Sequence, residues 1–443
     1  MKNQSPNEQD LIREAIASKV RDFWDSQKAE DFVPGLTPVP VTGKKIFAED
    51  LVKTVDSVLD AWFTGSANEE KLERALSRFV GMRGGTFVNS GSSANLLAVS
   101  ALTSPKLGKR ALKAGDEIVT LAMGFPTTVA PIIQNNCVPV FIDCSLPDFG
   151  FDKDQFLKAI GPKTKAVFFA HTLGIPFDAQ LVREVCDEHG LWMIEDTCDA
   201  LGAEVGGVKA GSLGDLSTIS FYPAHHITAG EGGMVLTKSP LMKKIVESFR
   251  DWGRDCYCDT GVDNTCQKRY EWQLGSLPAG YDHKYIYTHL GYNLKASDMQ
   301  AALGLSQFNH LNDFISKRRK NYTYLWNGLR KLPQIRLAEP EKNSSPSWFG
   351  FPILIDPRLP VSTRNDLAKF LETRKIGTRL LFGGNLLRHP AFQHWAEGQR
   401  FPLPNSDEVM NNCIWVGVHP SLSQEMLDWI ISSINLFFED VAA

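Results

Sequence analysis

Ser220-Phe-Tyr-Pro-Ala-His-His-Ile-Thr-Ala-Gly-Glu-Gly-Gly233 is the stretch on which the reading of this chain turns. A β-prone run, Leu216 to Tyr222, leads into a proline turn. Two histidines follow, then a glycine-rich segment with one carboxylate, Glu231. In chemical terms this is a strand end that presents an imidazole beside a backbone free to approach a ligand closely. Two adjacent histidines alone also fit a loop in which both hydrogen-bond locally.

Working outward, the chain alternates strand and helix from Thr86 onward. Strands are predicted at Thr86–Asn89, Glu117–Leu121, Val138–Ile142, Ala166–Ala170, Leu191–Glu195 and Thr218–Tyr222. Most are short and apolar with no polar face, as buried parallel strands are. Helical patterns such as Ser93–Leu102 and Ala179–His189 lie between them. This predicts a doubly wound α/β domain with a mostly parallel sheet. One long helix is expected from Ser297 to Leu332. Beyond it, strand (Trp348–Leu354) and helix (Thr363–Thr373, Gln424–Phe438) signals predict a smaller α+β domain. Ahead of the sheet, helical spacing over residues 10–30, the extended run Val33–Val41 and a helical region over 47–80 complete the outline. The expected divisions are an arm over 1–50, a large domain over 51–310 that includes a cysteine-rich loop at 251–280, and a small domain over 311–443.

With 443 residues, 43% of them hydrophobic, the chain has ample material for a large core. Its net charge of −4 comes without any long block of one sign, which argues against a nucleic-acid surface. No apolar run approaches the roughly 20 residues of a membrane span. The polar start, Met1 to Asp10, lacks the apolar centre of a signal peptide. A cytoplasmic protein is expected, in which eight cysteines are reduced, metal-bound or catalytic.

Three further stretches carry candidate chemistry. Val88-Asn-Ser-Gly-Ser-Ser-Ala-Asn95 joins a strand to a helix, and small residues at a helix start leave N–H groups free for a phosphate. An ordinary serine N-cap is the simpler alternative. Ile194-Glu-Asp-Thr-Cys-Asp199 ends a buried strand, where open α/β sheets bind ligands. Asp196 there could pair with a protonated heterocycle nitrogen or merely cap the next helix. Phe125, in Leu121-Ala-Met-Gly-Phe-Pro-Thr-Thr128, could stack on a flat ring or belong to the core.

Taken together, these elements resemble the sugar aminotransferases of pyridoxal-phosphate fold type I, the aspartate-aminotransferase-like architecture, from about Pro40 to the C-terminus. The resemblance implies that Gly91, Ser92 and Ser93 bind the cofactor phosphate together with Ser220. It also implies that Phe125 covers the ring and that Asp196 meets the pyridine nitrogen. Gly291-Tyr-Asn-Leu-Lys-Ala-Ser-Asp298 resembles the segment whose asparagine, here Asn293, reaches the neighbouring subunit's cofactor phosphate in a homodimer. Where the family carries its Schiff-base lysine, this chain has His225. Imidazole cannot form that link, but it can take a proton near neutral pH. The exchange resembles the keto-sugar 3-dehydratases. In these, pyridoxamine 5′-phosphate is held without a covalent bond, a ketimine forms with the substrate, the histidine takes the C4′ proton, and the sugar C3 hydroxyl leaves.

Cys198, Cys256, Cys258 and Cys266 form a spaced set, with 57, 1 and 7 residues between them. Four thiolates suit a [2Fe–2S] cluster or a structural zinc, and unbridged thiols are a third possibility. The spacing, with Asn264-Thr-Cys266 and Trp272-Gln-Leu-Gly-Ser-Leu-Pro278, resembles the iron–sulfur CDP-4-keto-6-deoxy-D-glucose 3-dehydrases of 3,6-dideoxyhexose and lipopolysaccharide O-antigen synthesis. That resemblance implies a [2Fe–2S] cluster carrying single electrons from an NADH-dependent flavin and iron–sulfur reductase. It implies as substrate a nucleotide-linked 4-keto-6-deoxyhexose, with a dTDP- or GDP-linked sugar as the alternative to CDP. His171, His283 and His289, with Lys284-Tyr-Ile-Tyr-Thr288 between the last two, are weaker candidates for substrate contact. Arg379 and Arg388 are candidates for the diphosphate. No role is assigned to His226.

Overall fold

The structure is a computed structural model that describes residues 7–27, 31–258, 261–360 and 362–442. Part of the expected N-terminal arm (1–6 and 28–30) and two positions of the cysteine-rich loop (259 and 260) lie outside the described residues.

Nine strands precede residue 240: β1 (Gly84–Val88), β2 (Glu117–Leu121), β3 (Val138–Ile142), β4 (Thr164–Ala170), β5 (Trp192–Asp196), β6 (Glu204–Val205), β7 (Val208–Lys209), β8 (Leu216–Ser220) and β9 (Gly233–Thr237). Seven of these form the central sheet in the order β1-β9-β8-β5-β4-β2-β3. β9 runs against the other six, pairing antiparallel with both β1 and β8. Sequence reading locates all of the sheet except β9, whose apolar run Met234-Val-Leu follows directly on a glycine pair.

Successive strand residues face opposite sides of the sheet, and both sides are buried. Ile118, Phe168 and Ile194 pack on one face with Leu97 of the helix Gly91–Leu102. Their neighbours Val119, Phe169 and Met193 pack on the other face with Val182 of the helix Ala179–His189. Two covered faces explain why these strands read as continuous apolar runs. The C-terminal ends of β5 and β8 lie side by side, with Asp196 opposite Thr218. The candidate residues collect there.

The later strands are β10 (Ile335–Leu337), β11 (Ser344–Ser345), β12 (Gly350–Ile355), β13 (Arg379–Leu380) and β14 (Cys413–Gly417). β10, β12, β14 and β13 form an antiparallel sheet in that order, and β11 joins the β6–β7 hairpin. The helices Leu311–Leu329 and Gln424–Ala442 share a core with this smaller sheet. Val39 and Val41, from the proline-rich run, are buried in the same core.

The expected single helix over Ser297–Leu332 is instead two, Asp298–Phe308 and Leu311–Leu329. The break falls at Asn309-His310. There the His310 ring lies 4.2 Å from Phe47 and 5.9 Å from Phe314, so it is drawn into an aromatic stack.

Candidate active site

The turn from β1 into the helix Gly91–Leu102 builds an anion cradle. Ser90 is the N-cap, and its Oγ accepts the Ser93 N–H at 3.0 Å. Among the described residues no protein acceptor takes the Gly91 or Ser92 N–H. Those donors, on the positive end of a 12-residue helix, favour a bound anion. Glycine is required at position 91, since a Cβ there would lie 2.5 Å from the Ser220 Cβ and 3.2 Å from the Cys198 Sγ. The helix start is thereby pressed against the end of β8, and Ser220 joins the cradle. Gly233 makes a similar close approach, for its Cβ would fall 2.2 Å from the Ser90 carbonyl oxygen.

Asp196 is fixed at the end of β5 by three donors. Its Oδ2 accepts from Asn95 Nδ2 and from Thr128 Oγ1, each at 2.8 Å, and its Oδ1 accepts the Cys198 N–H at 3.1 Å. Thr218 in turn donates to Asn95 Oδ1 at 2.6 Å. The carboxylate is thus aimed by two side chains and one backbone N–H and retains acceptor capacity toward the site. Sequence reading missed Asn95 and Thr128. The available signal was an amide inside the otherwise apolar run Ala94-Asn-Leu-Leu-Ala98.

Glu195, beside it, points away into the wall. It accepts from the N–H groups of Gly211, Leu213 and Gly214 and pairs with His171 Nε2 at 2.9 Å. Burial works against its charge, but His171 and these N–H groups outweigh burial and hold its carboxyl below the ordinary value. His171 is buried, accepts the Phe177 N–H at Nδ1, and stacks on the Phe177 ring at 4.1 Å. Its Nε2 therefore carries the proton it gives Glu195, and both ring nitrogens are taken up by packing.

His225 follows the proline turn after β8. Its Nδ1 lies 3.4 Å from Oδ1 of Asp199, close enough to sense charge but not aligned for a hydrogen bond. Burial, with the Arg318 charge behind it, pushes the imidazole down to about 3, against a hydrogen bond to the Cys198 backbone. The ring is therefore neutral and able to accept a proton. Burial, then the Asp196 charge, pushes the Asp199 carboxyl up to about 8, while the Leu173 backbone and Arg318 hold it back. Asp199 is the main residue that sequence reading missed. It stands three positions after Asp196, and the Thr197–Ala200 turn brings it back to the same strand end.

Arg318 is fully buried and bonds the carbonyls of Ala224, His225, Trp348 and Phe349, tying the histidine turn to β12. His226 adds a second tie, with Nε2 donating to the Ser347 carbonyl at 2.8 Å. The neighbouring strap passes so close that a Cβ on Gly174, at φ +85°, would lie 1.9 Å from that same oxygen.

Phe125 precedes the helix Pro126–Gln134 and is 49% exposed, so one ring face is free to cover a flat ligand. It is bracketed into the site by the Ser92–Thr127 and Thr128–Asp196 contacts. Phe382 meets it edge-on at 6.1 Å from the smaller sheet. Arg388 is engaged by Asp407, with its Nε at 3.0 Å. Arg379 is exposed and donates only to its neighbour's carbonyl among the described residues.

The remaining candidates lie elsewhere. Asn293 lines a separate cavity of about 590 Å³ with Cys256, Cys258 and Lys284. Cys256, Cys258 and Cys266 line one small cavity together. Cys198 is apart from them, in the cradle beside Gly91. Among the described residues no three ligand-type side chains converge on a metal position, so one chain alone does not assemble a four-thiolate site. His283 bonds Asp255 and stacks on Trp272, and His289 is held between Ser104 and Ser248 at 2.7 Å each. Both histidines serve packing.

Residues 45–435 match the DegT/DnrJ/EryC1/StrS aminotransferase family. The chain belongs to this family. Two relatives resemble it along nearly their whole length. The lipopolysaccharide biosynthesis protein RfbH of Salmonella typhimurium is 50% identical over 429 residues, 96% of this chain and 98% of the relative. The dTDP-4-dehydro-2,6-dideoxy-D-glucose 3-dehydratase of Saccharopolyspora spinosa is 48% identical over 425 residues, 96% and 92% of the two chains. Among solved structures, E. coli GDP-4-keto-6-deoxy-D-mannose-3-dehydratase with bound hydrated PLP matches with a TM-score of 0.79 at 25% identity, covering 89% of this chain and 98% of that one. The fold is that of the pyridoxal-phosphate-dependent sugar aminotransferases and dehydratases, and the expected fold class holds. As a DegT/DnrJ/EryC1/StrS family enzyme the chain takes pyridoxal or pyridoxamine phosphate. The cradle, the free face of Phe125 and the fixed Asp196 fit such a group. Among the described residues no helix is long and apolar enough to cross a membrane.

Proposed function

We propose that this chain removes the C3 hydroxyl of a nucleotide-linked 4-keto-6-deoxyhexose, CDP-4-keto-6-deoxy-D-glucose first among them, in 3,6-dideoxyhexose synthesis. The observation that carries this reading is His225. At the position of the family's Schiff-base lysine stands a partly buried neutral base that cannot bind the cofactor covalently. The names of the two near relatives, one a lipopolysaccharide biosynthesis protein and one a 3-dehydratase, support the same reading. The second also keeps a dTDP-linked sugar as the main alternative substrate.

Bound pyridoxamine 5′-phosphate supplies an amine for the 4-keto carbon and a ring that withdraws electrons. The chain's own residues do the rest. Gly91, Ser92, Ser93 and Ser220 hold the phosphate, and Phe125 covers the ring and limits water. Asp196, kept in place by Asn95 and Thr128, holds a proton on the pyridine nitrogen and so favours electron withdrawal. His225 takes the C4′ proton, and that proton is then available to the departing hydroxyl. Asp199 stands 3.4 Å from the imidazole and, uncharged below about pH 8, adds no negative charge beside Asp196. Asn293 serves the partner's cofactor in a cytoplasmic homodimer.

The spaced set Cys198, Cys256, Cys258 and Cys266 supports a [2Fe–2S] cluster fed by an NADH-dependent flavin and iron–sulfur reductase. Because the four thiols do not meet within one chain, a second reading stands beside it. In that reading the enzyme is a cluster-free 3-dehydratase that renews its cofactor from glutamate. The test is anaerobic incubation with pyridoxamine phosphate, an electron donor and CDP-, GDP- and dTDP-4-keto-6-deoxy sugars. Release of a reduced 3-deoxy sugar that depends on the electron donor, the C3 oxygen leaving as water in a step that needs no electrons, supports the first reading. Turnover with glutamate and no donor supports the second.

A further inference from the structure

The long helix Leu311–Leu329 turns one face into the core, with Phe314, Arg318, Tyr322 and Leu325 buried along it. The opposite face is polar. Asn312, Ser316, Arg319, Lys320, Thr323 and Asn327 fall on it, each three or four positions from another, as neighbours on one helix side are. This face looks onto the β6–β7 hairpin across a groove of about 630 Å³, a volume ordinary for a small-molecule site. The groove is tight at Gly202, where at φ +86° a Cβ would lie 2.3 Å from Cδ1 of Ile315.

Arg319, Lys209 and Lys320 line this groove with one carboxylate, Glu204, and among the described residues none of the four is in an ion pair. Arg319 is held instead by main-chain carbonyls. Its Nε donates to Pro346 at 2.8 Å and its Nη2 to Ser345 at 3.2 Å, and among the described residues Nη1 has no partner. Lys209 is steered in the same way. It donates to the Phe79 carbonyl at 2.8 Å, with its Nζ 3.7 Å from the Phe79 ring centre. Glu204 stands opposite Lys209 in the hairpin, yet the lysine is drawn to Phe79 and no salt bridge forms. Lys320 is exposed at the rim. Cations pinned by neutral groups keep their charge, and a cleft lined mainly by one sign concentrates its field on a ligand. The groove is also apart from the cofactor cradle. Arg319 holds the Ser345 and Pro346 carbonyls, and the next carbonyl, that of Ser347, takes His226. The groove therefore backs onto the strap behind the histidine turn.

We propose that this groove is a second ligand site, separate from the cofactor cradle, for a small molecule that carries a diphosphate. Arg319 Nη1 and the Lys209 and Lys320 ammonium groups hold the phosphate oxygens, since charged hydrogen bonds from arginine and lysine suit phosphate. Three cations against one carboxylate call for a ligand with more than one negative charge. Asn312, Ser316, Thr323 and Asn327 add amide and hydroxyl partners for whatever group the diphosphate bears. The shared chemistry is the diphosphate, and its two sources are free pyrophosphate and a nucleoside diphosphate. No step of the proposed dehydration depends on the groove.

Calorimetric titration of the pyridoxamine-phosphate-loaded protein with inorganic pyrophosphate and with CDP, at roughly 0.15 M ionic strength, tests this. Lys320→Glu, and Lys209→Met, which keeps an unbranched chain to pack on Phe79, should each weaken binding about tenfold. Glu204→Gln should strengthen it, a gain that a purely structural role for these residues would not produce. Pyridoxamine phosphate affinity, unchanged in all three variants, verifies the fold. Pyrophosphate binding as tightly as CDP assigns the groove to the free anion, and tighter CDP binding assigns it to a nucleotide. Wild type that binds neither probe would overturn the site. Binding that none of the three substitutions changes would also overturn it, because the ligand would then lie elsewhere, as at the substrate site. Succinate binding as tightly as pyrophosphate would overturn the diphosphate assignment.

Discussion

Asp199 and His225 stand 3.4 Å apart with their ordinary order of proton affinity reversed. The carboxyl holds its proton to about pH 8, whereas the imidazole gives its proton up at about 3. Burial drives both shifts, because it disfavours a charge on either group. At neutral pH the site therefore holds a neutral acid facing a neutral base, and no formal charge is spent on the pair.

This relationship predicts a pH signature. In wild type, keto-sugar-dependent exchange of the C4′ hydrogen should show an inflection near pH 8, where Asp199 ionises beside His225. Asp199→Asn should bind the cofactor normally and lose that inflection. An inflection that survives in Asp199→Asn would assign it to another group.

The donors on Asp196 predict an effect on binding. Thr128→Val and Asn95→Leu each remove one hydrogen bond to the carboxylate. Each should weaken pyridoxamine phosphate binding about tenfold, or about 1.4 kcal/mol. Titration followed by quenching of protein fluorescence measures this. Unchanged affinity in both variants would show that Asp196 needs no such support.

Gly91→Ala separates the cradle from ordinary helix propensity. Alanine normally favours a helix, but here its Cβ would meet Ser220 and Cys198. Cofactor affinity should fall by well over tenfold, because the phosphate site must open to admit the methyl group. Gly161→Ala, which meets nothing within 4 Å, should leave affinity unchanged.

Acid stability follows from the buried histidines. His225 is pushed down to about 3, His289 and His419 to about 4, and His226 well below its ordinary value, in each case chiefly by burial. Each stays neutral in the fold but takes a proton once unfolded below about pH 6.5. Stability is therefore full above that pH and is lost as pH falls. The slope approaches about 1.4 kcal/mol per pH unit for each group. Asp199 acts in the opposite sense. Its raised affinity contributes most below about pH 4 and is lost as pH rises toward 8. Four histidines outweigh one carboxyl, so urea midpoints should drop steeply between pH 6.5 and 4.5. A flat profile would contradict neutral burial of the four rings.

Much of this was legible in the residue pattern, for physical reasons. Buried parallel strands are apolar on both faces, so β2 and β3 show at their full extent. β9 did not show, because its short apolar run follows directly on a glycine pair. The cradle showed because glycine and serine at a helix start are local signals. Asn95, Thr128 and Asp199 did not, since their importance lies in contacts made across elements. The histidine pair divides along the same line. His225 is defined by what it replaces in the family pattern. His226 became intelligible only once the Ser347 carbonyl was in place, 2.8 Å from its ring.

The most direct measurement of the central claim is the fate of the C4′ hydrogen and the C3 oxygen in His225→Asn and His225→Lys. The account predicts that wild type with pyridoxamine phosphate and CDP-4-keto-6-deoxy-D-glucose exchanges C4′ hydrogen with solvent and releases the C3 oxygen as water. It predicts that His225→Asn binds the cofactor but does neither. His225→Lys should instead fix pyridoxal phosphate covalently on borohydride reduction. Exchange and water release at the wild-type rate in His225→Asn would contradict the account, as would a wild-type chain that forms an amino sugar and keeps its C3 hydroxyl.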